Sequence, residues 1–343
     1  MPDSRALTTP PPHFTPDIAS LAPLEIGPTL ADWQQQRQAL RNAWLQYLGH
    51  GPEVVPLEPE VHEEDLGDVT RSLLSYQVED GCRVEAYLMR PKGDGPSPGV
   101  VVFHPTSEKT ILGPVGLGSD PTQAFGLSLA RKGMVTLSPR NFIWDYRGLK
   151  ATRWEEYCQT TARLLNTWPR WTGMGKMLWD GLRAVDYLLT LPEVDAARIG
   201  CIGHSLGAKE VLYLMAFDER VRAGVSNDGG LGIPFSNWDA PWYLGEGVRG
   251  RPDLEHHQLL ALCAPRAILI VGGGLEPAQL DEGRSPGSDI IEDWNYLEAA
   301  RPAYDLHGVR ERLCLFLHHK GHCVPPEAEA VIYPWLEHFL MAR

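Results

Sequence analysis

Residues 199–217 read IGCIGHSLGAKEVLYLMAF, and the fold turns on how that stretch divides. Ile199–Gly203 is a short apolar run of strand type, and Leu206–Phe217 has the length and residue types of a helix. Between them, Gly203-His204-Ser205-Leu206-Gly207 fits the pattern G-x-S-x-G. A serine on a sharp strand-to-helix turn stands clear of the sheet, and flanking glycines let the turn close. The same pattern occurs at 95–99, GPSPG, where two prolines flank Ser97 and a strand follows instead of a helix. That copy reads as a loop. Ser205 is therefore the candidate nucleophile.

The chain around this turn alternates strand and helix. Upstream, 72–80 (SLLSYQVED) and 82–90 (CRVEAYLMR) flank Asp80-Gly81, a strong hairpin signal. VVVFHP (100–105) and MVTLSP (134–139) read as strands, and 175–191 as a helix. Downstream come strands at 221–228, 266–273 and 311–319, with helices at 253–263, 290–304 and 325–342. Apolar, unalternating strands between helices predict an α/β fold, with a mostly parallel central sheet and helices on both faces. Residues 1–28, rich in Pro and Thr, read as an extended arm. Residues 29–48 place Leu30, Trp33, Leu40, Trp44 and Leu48 at helical spacing, with Thr29 or Asp32 as cap; 49–68 reads as a polar loop. The expected division is an N-terminal arm and helix at 1–71 and a catalytic domain at 72–343. Residues 141–179 carry five tryptophans. A cap insertion over the site at 141–175 and a long segment packed onto the body are both compatible with them.

Composition narrows the function classes. With 31 Lys+Arg against 44 Asp+Glu, the formal net charge is −13. That argues against nucleic acid or an anionic membrane as a partner. No apolar run has the length of a bilayer span, and the N-terminus lacks a secretory apolar core. The six cysteines are scattered with no CxxC pair, as expected of thiols in a reducing compartment. The expected location is cytoplasmic, with secretion open if a native leader lies upstream. Nothing in the sequence fixes an oligomeric state.

A nucleophilic serine needs a base, an orienting acid and an oxyanion site. The last strand leads into HHKGHCVPPEAEA (318–330), where His322 follows Gly321 in a loop before the final helix and is the candidate base. His318 and His319 sit at the strand end and point to opposite faces. The HHxxH cluster has no Cys or carboxylate at supporting spacing, so no metal site is read there. For the acid, Asp289, ahead of the helix that follows strand 266–273, is the first choice. Glu276, nearest that strand end, and Asp228, at the end of the preceding strand, are the alternatives. Leu206 N–H at the helix start is one oxyanion donor. Pro105 has no N–H, so Thr106 is the candidate for the second.

Taken together, RIGCIGHSLGAKE (198–210), APRAILIVGGG (264–274) and HHKGHCVPPEAEA resemble the α/β-hydrolase superfamily over roughly residues 72–343. FDERVRAGVSNDGG (217–230) and HHQLLALCAPRAILI (256–270) are similar to its dienelactone hydrolase and acetyl-xylan-esterase-like group. The resemblance implies the α/β-hydrolase fold and hydrolysis of a small or carbohydrate-linked ester through an acyl-enzyme, with no metal or organic cofactor. A weaker resemblance is to glucuronoyl esterases, which carry a lysine four residues after the nucleophile, as Lys209 stands here. In that family the lysine helps bind the sugar acid; its arginine directly after the nucleophile is replaced here by Leu206. Lys209 otherwise reads as a solvated first-turn residue. Trp238, in FSNWDAPWYLG (235–245), suits either a pocket wall or the core. Two rivals are a serine peptidase, for which 1–71 is too short to hold a propeller, and a hydrolase fold kept as a non-catalytic binding protein.

Overall fold

The computed structural model describes residues 7–93, 95–107, 109–144, 153–274 and 291–342. Its frame is a nine-stranded sheet: β1 (Glu60–Asp65), β2 (Val69–Glu79), β3 (Cys82–Pro91), β4 (Ser97–Phe103), β5 (Val135–Pro139), β6 (Val194–His204), β7 (Val221–Asn227), β8 (Ala267–Gly272) and β9 (Leu313–Leu317). The spatial order is β1-β2-β3-β5-β4-β6-β7-β8-β9. β1, β2, β3 and β5 pair antiparallel, and every other pairing is parallel. The Asp80-Gly81 hairpin forms as expected, with Gly81 at φ 69°. β1 corrects the reading of 49–68 as loop. Its six residues EVHEED are all exposed, so no alternation marks them, and only pairing to β2 makes them a strand.

Successive residues of the central strands feed opposite faces, as strand geometry requires. Val101, Phe103, Ile199, Cys201, Ile268 and Ile270 join one core. Val100, Val102, Ile202, Val225 and Leu269 join the other, under Phe125 and Leu129 on one side of the chain and Trp335 and Leu336 of the last helix. The helices are α1 (Leu30–Leu48), α2 (Phe125–Arg131), α3 (Arg153–Thr167), α4 (Gly173–Leu189), α5 (Leu206–Phe217), α6 (His256–Cys263), α7 (Asp293–Leu306) and α8 (Pro326–Leu340). The α/β fold expected from the sequence is therefore present, with helices on both faces of a mostly parallel sheet.

Two elements bear on the site. The N-terminal helix α1 opens on a capping box between Thr29 and Asp32. It is tied to the body by buried Trp44, whose indole N–H donates to Gln258 Oε1 at 3.0 Å. α5 is buried on every residue of its twelve. A helix apolar all round belongs to the centre of a fold, yet this one carries Lys209 and Glu210, whose polar heads need internal partners. The tryptophan-rich segment packs inward through an aromatic chain. Trp144 meets Tyr157 at 5.2 Å, Tyr157 meets Trp242 at 5.6 Å, and Trp154 stacks on Trp242 at 5.1 Å.

Candidate active site

Ser205 sits alone between the end of β6 and the start of α5, at φ 58° and ψ −116°. A non-glycine residue pays strain in that region, and such strain concentrates at functional turns. The turn closes because both glycines of the motif lack a side chain. A methyl on Gly203 would overlap the backbone of Gly207, and one on Gly207 would overlap the carbonyl of Phe103 in β4. Ser97, the serine of the second pattern, opens β4, with its N–H bonded to Glu193 O at 2.7 Å; no elbow forms there.

Ser205, His204, His322 and Thr106 share the lining of a cleft of about 260 Å³ with Lys109, Asp120 and Gln123. His322 keeps an exposed edge. Desolvation first, and the Lys209 cation second, draw its imidazole pKa below the ordinary value. Asp228 directly follows β7 in a left-handed turn (φ 56°), and its N–H donates to Val271 O at 2.8 Å. That turn leaves the carboxylate buried. His204, Asp228 and His322 each present a polar atom within 4.8 Å of the others. Asp289 and Glu276, the other two candidate acids, lie outside the described residues.

No sequence signal marks His204, since the motif leaves its position open. Its ring lies 4.7 Å from that of His322, tilted by 35°. The Asn227 side-chain amide reaches His204 Nδ1 at 2.7 Å and Asp228 Oδ2 at 3.0 Å. An amide nitrogen has two hydrogens, so it donates to both. His204 is thereby the tautomer protonated at Nε2. Burial, reinforced by His322, pushes its pKa down to about 3, so the ring is neutral beside the candidate base. The trio holds metal-ligand residue types at close range, but the Asn227 amide already occupies one atom each of His204 and Asp228. That arrangement suits a hydrogen-bonded relay better than a ligand set.

Lys209 is not the solvated helix residue that one reading of the sequence expected. It is 5% exposed. Its ammonium donates to Ser236 Oγ at 2.7 Å and lies 3.6 Å from the centre of the Trp238 ring and 5.1 Å from that of Tyr243. A desolvated cation over an indole gains on the order of 2 kcal/mol, which offsets part of its burial cost. Trp238 itself is fully buried and donates to Gly230 O, so it belongs to the core as well as to the lysine. The cleft's described lining includes Thr106 and leaves Lys209 out. Tyr243, whose phenol is raised by burial, bonds the Thr106 side chain.

Residues 84–240 match the model of the Dienelactone hydrolase family. A putative hydrolase, YtaP, of Bacillus subtilis (strain 168) is 27% identical over 197 residues, 55% of this chain and 63% of that protein. A carbohydrate esterase, MZ0003, from an unknown prokaryotic organism is 28% identical over 105 residues, 25% of this chain and 24% of that protein. The matches thus span less than two thirds of these relatives. Among solved structures, an acetyl xylan esterase described as putative, from Bacteroides fragilis, superimposes with a TM-score of 0.69 at 15% identity, over 88% of this chain and 80% of the other. A glucuronoyl esterase from Solibacter usitatus gives 0.65 at 15% identity, over 96% and 98%. At such identities the superpositions speak to the fold. Residues 84–240 thus carry a dienelactone hydrolase family domain, with the serine elbow inside it, on an α/β-hydrolase fold.

Proposed function

We propose that the protein is a serine carboxylic-ester hydrolase with the triad Ser205, His322 and Asp228. The observation that carries this reading is the strained Ser205 turn opening onto the same cleft as His322, with the buried Asp228 carboxylate beside that imidazole. Ser205 Oγ attacks the ester carbonyl while His322 takes its proton. His322 returns the proton to the leaving alcohol, and water repeats both steps on the acyl-enzyme. Asp228 holds the imidazole and stabilises its cation. The N–H groups of Leu206, at the start of α5, and of Thr106, across the cleft, receive the oxyanion. No step calls on a metal or organic cofactor. A fluorophosphonate probe is expected to label the protein once, and peptide mapping to place the adduct on Ser205 and not on Ser97. A protein that resists the probe and fails to hydrolyse p-nitrophenyl acetate is a binding protein on a hydrolase fold.

The substrate class is a small or carbohydrate-linked ester. A uronic-acid ester is the second reading, favoured by one observation: Lys209 is buried within electrostatic reach of His322. Against a direct contact stand its burial, its absence from the cleft's described lining, and Leu206 where glucuronoyl esterases have arginine. Lys209→Met separates the two roles. Removing the cation raises the His322 pKa, so the acid limb of the pH dependence of kcat/KM is expected to move to higher pH. An equal loss on uronate and neutral esters makes Lys209 a source of field; a loss confined to uronate esters makes it a substrate contact. No helix among the described residues is long and apolar enough to cross a membrane. All six cysteines are thiols, which supports a reducing, cytoplasmic setting.

A further inference from the structure

His104 is a buried histidine beside the cleft that the triad does not use. It ends the loop side of β4, is 1% exposed, and meets the Trp144 ring edge-on at 5.0 Å. Both ring nitrogens are engaged. The backbone N–H of Asn141, just past β5, lies 3.0 Å from His104 Nε2. An N–H pointing at that nitrogen makes it the acceptor, so the ring proton is on Nδ1. Nδ1 lies 2.8 Å from the carbonyl oxygen of Pro105 and donates to it. The same carbonyl accepts the N–H of Ser107 at 2.8 Å.

Asn141 is held in turn. Its side-chain amide donates to Glu210 Oε1 at 3.0 Å, and its Oδ1 accepts the N–H of Ile143 at 3.1 Å. Glu210 lies on α5, five residues beyond Ser205, and burial raises its carboxyl well above the ordinary range, favouring the uncharged acid. The chain of bonds runs from the nucleophile's own helix through the turn after β5 to the loop after β4.

The consequence follows from peptide geometry. The Pro105 carbonyl and the Thr106 N–H belong to one planar unit. That bond is trans, so the two point in opposite directions. Fixing the carbonyl on one side fixes the N–H on the other. A carbonyl that accepts two hydrogen bonds also polarises the N–H across the plane, which strengthens it as a donor.

We propose that His104 is a positioning residue for the oxyanion site: its Nδ1–H grips the Pro105 carbonyl, so the Thr106 N–H of the same peptide is aimed into the cleft. The inference rests on Thr106 as an oxyanion donor, as read above. His104 touches no substrate and transfers no proton. Its effect is confined to the charged transition state, because a neutral ester carbonyl gains little from the donor.

Two substitutions test this. In His104→Gln the longer side chain reaches toward the Asn141 N–H and loses the Nδ1 donor. In His104→Asn the amide N–H₂ takes the place of Nδ1. His104→Gln is expected to lower kcat on p-nitrophenyl acetate about 10- to 100-fold with KM little changed, part of the loss seen when a whole donor is removed. Its affinity for a boronic acid, which forms a tetrahedral adduct on the serine, should fall by a similar factor. His104→Asn should recover most of both. Unchanged kcat in His104→Gln overturns the proposal; so do equal losses in the two variants, or a lower kcat with boronic acid affinity intact. If Ser205→Ala retains activity, the esterase reading itself fails. If Ser205→Ala is inactive while His104→Gln is normal, only the present inference falls.

Discussion

Ser205→Ala is expected to lower p-nitrophenyl acetate turnover by about 10⁴- to 10⁶-fold, to the level of the oxyanion site and binding alone. The fold should survive. Alanine keeps the β-carbon, so it meets the φ 58° turn with the same strain as serine. Among the described residues no framework hydrogen bond runs through the hydroxyl: the Ser205 N–H bonds Asn227 O at 2.9 Å, and the Ser205 carbonyl accepts from Ala208 and Lys209. Thermal unfolding should therefore shift within the range of an ordinary substitution, about 0.5 kcal/mol. Ser97→Ala is the control. That residue starts a strand, and its loss should leave turnover intact. Turnover near wild type in Ser205→Ala, with the fluorophosphonate adduct moved elsewhere, would falsify the nucleophile assignment.

The elbow was legible in the sequence because every determinant is local. An apolar strand enters, two glycines flank the serine, and a helix leaves, all within residues 199–217. The sheet was legible for a related reason: strands buried on both faces are apolar throughout and stand apart from their helices. β1 escaped because an exposed edge strand has no apolar face to reveal it. The environment of Lys209 escaped because helical spacing does not say that α5 runs through the middle of the molecule. There even a first-turn lysine finds an indole, a serine and a tyrosine around it. His204 and His104 escaped for a third reason. Each acts through bonds to residues distant in the chain, Asn227 and Asn141, and no spacing rule links them. The candidate acid is the case in which order along the chain and position in space are separate guides. Asp289 suits the order of elements and lies outside the described residues, whereas the turn of Asp228, after the strand next to the elbow strand, brings a carboxylate oxygen within 4.8 Å of ring atoms of His204 and His322.

Asp228→Asn tests that last point, with an expected loss in kcat of about 10³- to 10⁴-fold near neutral pH. The size follows from what a carboxylate does for an imidazole. It selects the tautomer that leaves the other nitrogen free to take the serine proton, and it stabilises the cation that forms. An amide with its N–H toward the ring favours the wrong tautomer, and it cannot balance the charge. The substitution is mild in every other respect. Asparagine has the same shape and tolerates the left-handed backbone that Asp228 adopts at φ 56°. Its Oδ1 still accepts from Asn227, which now donates to Asp228 Oδ2 at 3.0 Å. KM and the melting temperature should therefore change little, while the burst of acylation slows with kcat. Fluorophosphonate labelling should slow in parallel, since it too needs an activated serine. Asp289→Asn and Glu276→Gln, measured beside it, complete the comparison. A thousandfold loss in either of those, with Asp228→Asn active, would transfer the acid to the loop after β8. In that outcome Asp228 would remain as the buried partner of His204 and Asn227, ordering the floor of the cleft without entering the proton transfer.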